Sequence, residues 1–382
     1  MKNFKRLGIL VICLGMFSVG CKEPFEPEIS SFDHNILVVE GYIEVGGGTS
    51  SITLGRTRPV YDSISLSPVT GAGVLIESED GNSWQLFQQT EGTYTLSEYL
   101  PEDRNYRLRI SNSGNEYLSE WITPIITPEI SEVSFEKKGD DVNIYASTVG
   151  NENARYFLWE FEETWIYRAA YRAGYKYDPV NGEIVSLRED ELTYSCWQSS
   201  VSNRIILASS ESYQNDFIYQ KELLKIESFS EKLGVRYSVK VKQKAIDKEA
   251  FVFWEAIRKN SDDIGGIFSP LPSLIGSNIY NVADPEEPVI GYLSAGTSNE
   301  KRIYINRNEV DPWRAVISDY YNCSLDTVLM KDYDFYFSGG SNIPVTPYCE
   351  DTSCPGFFGS SISCVDCTVR GGFLEKPAFW ED

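Results

Sequence analysis

The chain has 382 residues, 42% hydrophobic and 13% aromatic, with 34 basic residues against 56 acidic ones and a formal net charge of −22. Such a surface repels nucleic acid and anionic lipid, which excludes both as partners held by a basic face. The single histidine, His34, excludes serine triads, Cys–His pairs and His-ligated metals from the folded body.

Residues 1–20 read as an export leader. Lys2, Lys5 and Arg6 form a positive start, and Leu7 to Val19 is an apolar run too short to span a bilayer comfortably. Ser18-Val19-Gly20-Cys21 ends that run and resembles a bacterial lipobox, with Ser18 where a larger aliphatic residue is usual. Cleavage would fall before Cys21, whose thiol takes diacylglycerol and whose new amine takes a third, palmitate-type acyl chain, each CH₂ adding about 0.8 kcal/mol of membrane anchoring. Residues 21–34 then form an acylated tether, because Lys22-Glu23-Pro24-Phe25-Glu26-Pro27-Glu28 is too polar and proline-rich to fold. About 360 residues remain after cleavage, enough for two or three cores.

A β-sandwich is predicted over residues 35–127. Ile36 to Val45 is a strand, Gly46-Gly47-Gly48 turns it, and Ser51 to Leu54 begins the next. Further strands follow at Gly73–Ser78, Ser83–Gln88, Gly92–Leu96, Tyr106–Ile110 and Glu116–Glu120, with turn residues at close spacing. Thr123-Pro124-Ile125-Ile126-Thr127-Pro128 reads as a linker or edge segment.

A larger β-rich domain with disulfides and one packed helix is predicted over 128–382. Its strands include Asp141–Ala146, Tyr156–Phe161, Tyr194–Trp197, Arg204–Leu207 and Arg236–Val241. The helix is Lys248–Lys259, with Asp247 as N-cap, Ala250, Trp254 and Ile257 at helical spacing, and Phe251 and Phe253 alongside. Between the strands lies an aromatic segment, Thr164 to Asp178, which is locally basic in an acidic chain. Trp165, Tyr167, Arg168, Tyr171, Arg172 and Tyr175 are its candidate partner contacts, since Tyr and Trp offer rigid apolar area with a polar tip. The bland alternative is a hairpin that covers its own core.

With Cys13 lost and Cys21 acylated, six cysteines remain: Cys196, Cys323, Cys349, Cys354, Cys364 and Cys367. An even number in an exported chain predicts disulfides, with fifteen pairings open. The competing possibility is a four-thiolate zinc site at Cys349, Cys354, Cys364 and Cys367.

No Gly-rich phosphate loop lies between a strand and a helix, so no nucleotide cofactor is expected. Carboxylate-pair glycosidase chemistry needs only two acids. Glu160, Glu162 and Glu163 are the best candidates, with Glu160 and Glu162 on one strand face, and a solvated face is the simpler reading. Asp332 and Asp334 are too few for a calcium site.

Several segments taken in order resemble a Bacteroidota outer-membrane lipoprotein family, the domain-of-unknown-function 4249 family. They are Trp159-Glu160-Phe161-Glu162-Glu163-Thr164-Trp165, Cys196-Trp197, Gly276-Ser277-Asn278-Ile279-Tyr280-Asn281, Pro288-Val289-Ile290-Gly291-Tyr292-Leu293, Arg302-Ile303-Tyr304-Ile305, and Cys364 to Thr368 through Lys376-Pro377-Ala378-Phe379-Trp380. Tyr292-Leu293 departs from the family's more usual Tyr-Phe. The resemblance implies an immunoglobulin-like or carboxypeptidase-regulatory-like first domain. It implies a non-enzymatic accessory role beside a TonB-dependent receptor, at the outer membrane and facing the exterior. It also implies Cys349–Cys354, with Cys196 and Cys323 each joined to one of Cys364 and Cys367. Asp62-Ser63-Ile64 and Asp326-Thr327-Val328 resemble the O-glycosylation acceptor of exported Bacteroidota proteins, making Ser63 and Thr327 candidates. The rival readings are a carboxylate-dependent surface enzyme acting on glycans and a structural or adhesive surface subunit.

Overall fold

The computed structural model describes residues 35–58, 66–262 and 276–381. The leader, Cys21, the tether with His34, and Ser63 all lie outside the described residues.

The first unit begins with eight strands. They are β1 (Leu37–Glu44), β2 (Ser50–Thr57), β3 (Leu66–Pro68), β4 (Gly73–Ser78), β5 (Ser83–Thr90), β6 (Thr93–Leu96), β7 (Tyr106–Asn112) and β8 (Asn115–Ser119). Period-two alternation sets which face of each strand is buried. Val74, Ile76 and Ser78 point inward from β4, and Tyr106, Leu108 and Ile110 from β7. Strand β5 pairs with β4 on one side and β6 on the other, which joins the two layers around one core.

The second unit is also a sandwich. Its smaller sheet is β16-β10-β9, built from β9 (Ile130–Lys138), β10 (Asp141–Val149) and β16 (Phe217–Ile226). The facing sheet centres on β11 (Tyr156–Arg168) and β17 (Arg236–Ile246), paired in register from Tyr156↔Ile246 to Trp165↔Tyr237. Val142 and Ile144 from one sheet meet Phe157, Trp159, Phe161 and Val239 from the other in a common core. Gln243 is fully buried on β17 and its amide is satisfied three ways. Its Oε1 accepts from Trp159 Nε1 at 2.9 Å, and its Nε2 donates to Pro128 O at 2.9 Å and Thr148 Oγ1 at 3.1 Å.

Helix α1 (Lys248–Asp262) follows β17 directly. Ala250 is buried on it, and Trp254 and Phe251 pack beside Tyr42 and Ile246. Asp247 caps the helix by accepting from Ala250 N at 2.6 Å. Burial raises the Asp247 carboxyl above the usual aspartate value, outweighing the Ala250 amide that lowers it. A raised folded value makes this contribution to stability complete below the ordinary aspartate pKa of about 3.9, and it is lost as pH rises through the elevated folded value. Asp247→Asn should therefore keep the cap and flatten the pH profile, whereas Asp247→Ala should cost about 1 kcal/mol. Melting temperatures of the three proteins between about pH 4 and pH 7 test this, and parallel profiles for wild type and Asp247→Asn would contradict it.

After α1 the chain returns to the first unit. Strand β18 (Ile279–Asn281) pairs antiparallel with β8, while β19 (Val289–Ile290) and β20 (Ser294–Gly296) run parallel to β1. The same short segment thus supplies both ends of the first sheet. Asn278 links them, its Nδ2 donating to Leu293 O at 2.8 Å and its Oδ1 accepting from Leu293 N at 2.9 Å. The expected division at residues 127 and 128 needs this correction. Residues 279–296 belong to the first sheet, because its edges β8 and β1 would otherwise leave backbone groups unpaired.

Strand β21 (Ser298–Asn306) rejoins β17. The remaining chain forms a disulfide-bonded unit with β22 (Asp326–Leu329), the short helix α2 (Tyr333–Phe337), β23 (Asn342–Glu350), β24 (Ser353–Ser361) and α3 (Ile362–Val365). The final segment folds back on β21. There the Arg302 guanidinium lies 3.7 Å above the Phe379 ring, and buried Trp380 meets Trp197 and Tyr304 edge-on.

Candidate functional site

The two sandwiches meet along a cleft of ≈ 390 Å³. Strand β1 contributes Tyr42 and Glu44, which turn away from the first core because the alternation inward is carried by Leu37, Val39 and Ile43. Strand β11 contributes Leu158 and Glu160, and β17 contributes Lys242 and Lys244 from the face opposite Val239 and Val241. Trp254 from α1 and the loop Ser202–Ile205 form one side. Thr49, Ser51 and Thr53 form the other, and Ser294 of β20 also lines the cleft.

The charges here are paired, one pair within the second sandwich's own sheet and one across the junction. Lys244 Nζ lies 2.6 Å from Glu160 Oε1, and Lys242 Nζ lies 3.5 Å from Glu44 Oε2. Glu44 is buried, and its Oε1 also accepts from Ser298 N at 2.6 Å. Tyr42 is buried beneath, with its hydroxyl 3.3 Å from Thr297 O and 3.4 Å from Ala245 O. Burial, with Glu44 adding to it, pushes the Tyr42 phenol far above its ordinary value, so it stays a neutral donor. The segment Thr123–Pro128 is fixed beside this junction. Ile125 N donates to Ala295 O at 3.0 Å, Thr297 N donates to Ile125 O at 3.1 Å, and Ala245 N donates to Thr127 Oγ1 at 2.9 Å. A broader groove of ≈ 880 Å³ follows the same segment and exposes Trp121 and Ile126.

The aromatic segment is elsewhere and mostly consumed by packing. Strand β11 runs on to Arg168, so its alternation carries Trp165 and Tyr167 into the core at 5% and 1% exposure. Tyr167 OH donates to Cys367 O at 2.5 Å, and Tyr171 OH donates to Cys323 O at 3.0 Å. Tyr175 stands edge-on to Phe357 with centroids 5.0 Å apart. The prediction of Trp165 and Tyr167 as partner contacts is therefore corrected: neither presents a surface. Arg168 and Arg172 are exposed.

The three disulfides are Cys196–Cys367, Cys323–Cys364 and Cys349–Cys354, the pairing that the resemblance implies. They consume all four thiols of the competing zinc site. Asp334 Oδ1 accepts from Tyr177 OH at 3.3 Å, and no metal-binding group of three acidic, histidine or cysteine side chains occurs among the described residues. Thr327 is exposed on β22.

The candidate carboxylates divide by environment. Glu162 is exposed and lies 3.1 Å from Lys240 Nζ. Glu163 is buried inside, accepting from Tyr237 OH and Lys232 Nζ at 2.7 Å each. Burial and Glu163 together push the Tyr237 phenol well up. Glu163→Gln should cost about 1–3 kcal/mol, because it leaves buried donors poorly matched. Glu162→Gln should cost under about 1 kcal/mol, as exposed ion pairs contribute little. Urea unfolding of the two variants tests this, and equal losses would contradict it.

The cleft itself was not read from the sequence. Its one visible signal is the alternation Lys240, Lys242, Lys244 opposite Glu160 and Glu162, which an antiparallel register of β11 and β17 aligns. Nothing local marks Ser294 or Tyr42.

Solved structures similar to this chain include a two-domain fibronectin type III segment of chicken tenascin. It is 12% identical over 54% of this chain and 89% of that one, with a TM-score of 0.16. A DUF3823 family protein from Bacteroides ovatus is 14% identical over 55% of this chain and 91% of that one, with a TM-score of 0.14. No curated protein matches the chain. The family model described as a domain of unknown function, DUF4249, matches residues 22–302, and the chain belongs to that family.

Proposed function

We propose that this protein is a lipid-anchored accessory binding protein of the outer membrane, exposed to the exterior and associated with a TonB-dependent receptor in nutrient uptake. The observation that carries the reading is the junction of leader and family. The basic, apolar, Ser18-Val19-Gly20-Cys21 sequence is followed directly by a family match that starts at residue 22. Three disulfides suit an exported chain. A binding role rather than a catalytic one is favoured because Glu160, Glu162 and Glu163 each have a lysine partner.

Labelling cells with an alkyne palmitate analogue tests the anchor. Wild type should label and Cys21→Ser should not; label retained in Cys21→Ser would refute acylation at that residue. A mild-detergent pull-down of the tagged protein from its own outer membrane tests the partner. A TonB-dependent receptor in stoichiometric amount is expected, and recovery of the lipoprotein alone would overturn the association.

A further inference from the structure

We propose that the cleft between the two sandwiches binds a neutral saccharide. The proposal rests on the binding role above and names the ligand class. The first observation is charge. In a chain of net charge −22, this cleft is lined by Glu40, Glu44 and Glu160 against Arg204, Lys242 and Lys244, so its formal charges cancel. Two of those pairs are already made, Lys244 with Glu160 and Lys242 with Glu44. A charged ligand would compete with these pairs and bring charge that the cleft does not balance. A neutral ligand does neither.

The second observation is the kind of polar group on offer. Thr49, Ser51, Thr53, Ser202, Asn203 and Ser294 line the same space. Hydroxyls both donate and accept, and the asparagine amide does both from one plane. A polyhydroxylated ligand needs this mixed character along its whole edge. Trp254 adds an aromatic surface from α1, suited to the apolar C–H face of a pyranose ring. The volume falls within the range of about 300–1,000 Å³ for small-ligand sites.

The third observation points to a missing contact. Ser294 is 5% exposed, and its Oγ has no hydrogen-bond partner. A buried hydroxyl left unpaired is costly, on the order of 1–3 kcal/mol. Ser294 sits on β20 opposite Tyr42 of β1 and lines the cleft, so a turn of its side chain toward that space would let a ligand hydroxyl complete it.

The test uses the full-length, detergent-solubilised lipoprotein on an array of neutral glucose-, galactose-, mannose- and xylose-based oligosaccharides. Uronate-bearing and sulfated oligosaccharides on the same array serve as charged comparators. Binding to at least one neutral class is expected, followed by calorimetry on that sugar. Trp254→Ala should weaken it by about tenfold or more. Trp254 also packs on the junction, so Asn203→Ala and Arg204→Ala at the exposed rim provide variants that leave the core alone. Asn203→Ala should weaken binding, and Arg204→Ala should not shift preference toward charged sugars. No neutral binding, binding of charged sugars only, or unchanged affinity in folded Asn203→Ala and Trp254→Ala would overturn the proposal. The receptor pull-down separates the two readings. A receptor recovered without saccharide binding sinks only this proposal, and saccharide binding without a receptor sinks only the association.

Discussion

Replacing Cys196 and Cys367 together by alanine is expected to lower stability by about 4 kcal/mol, the largest loss of any disulfide in the chain. The two residues lie 171 apart in sequence, and both are fully buried. Closing so long a loop removes more freedom from the unfolded chain than the five-residue separation of Cys349–Cys354, whose loss should cost about 2 kcal/mol or less. The bond has a structural role as well. It joins β14 (Ser195–Val201), an edge of the second sandwich, to the disulfide unit beneath Tyr167, whose hydroxyl donates to Cys367 O. Without it the final segment that packs Trp380 on Trp197 has fewer constraints. Denaturant midpoints of the two double variants, together with limited proteolysis of the C-terminal unit, provide the check. Equal midpoints would contradict the loop-length argument.

Gly296→Ala is expected to cost about 3 kcal/mol and to disturb the cleft. A Cβ at this position would stand 2.1 Å from Ile125 O and 2.5 Å from the Tyr42 hydroxyl. The first is backbone and cannot swing aside. Ile125 is held by hydrogen bonds to Ala295 and Thr297, so retreat would break the contacts that fix the linker. Tyr42 would have to move as well, disturbing a ring whose centroid lies 5.3 Å from the Lys244 ammonium. Gly276→Ala is the control, since nothing lies within 4 Å of its Cβ position. Thermal unfolding should separate the two variants clearly. A Gly296→Ala protein as stable as Gly276→Ala would show that the sandwiches are not locked at this point.

Much of the local structure was legible. The alternation over Gly73–Ser78 and Tyr106–Ile110 marked both as strands, which are β4 and β7. Asp247 followed by a helical apolar stripe gave α1 and its cap. The turn residues Asp178-Pro179-Val180-Asn181-Gly182 do close a turn, Gly182 N donating to Asp178 O at 2.8 Å. The returning strands β18, β19 and β20 were not legible, being three, two and three residues long. No alternation can be seen over so few positions. Trp165 and Tyr167 were misjudged because composition marked an aromatic segment where the strand simply continues. Read at period two from Phe157, both residues fall on the inward face with Trp159 and Phe161.

The sequence by itself determined which side of each long strand is apolar, where the helix starts, and that six cysteines are available for crosslinks. These follow from neighbours a few residues apart, through backbone periodicity and capping. Only the tertiary structure decided that Tyr42, Glu160, Lys244, Trp254 and Ser294 share one cleft. Their positions are set by pairings between strands far apart in sequence, such as Tyr42↔Ser294 and Glu160↔Lys242. Such pairings depend on which edges and apolar faces the whole chain leaves to be covered, and no local stretch of sequence carries that information.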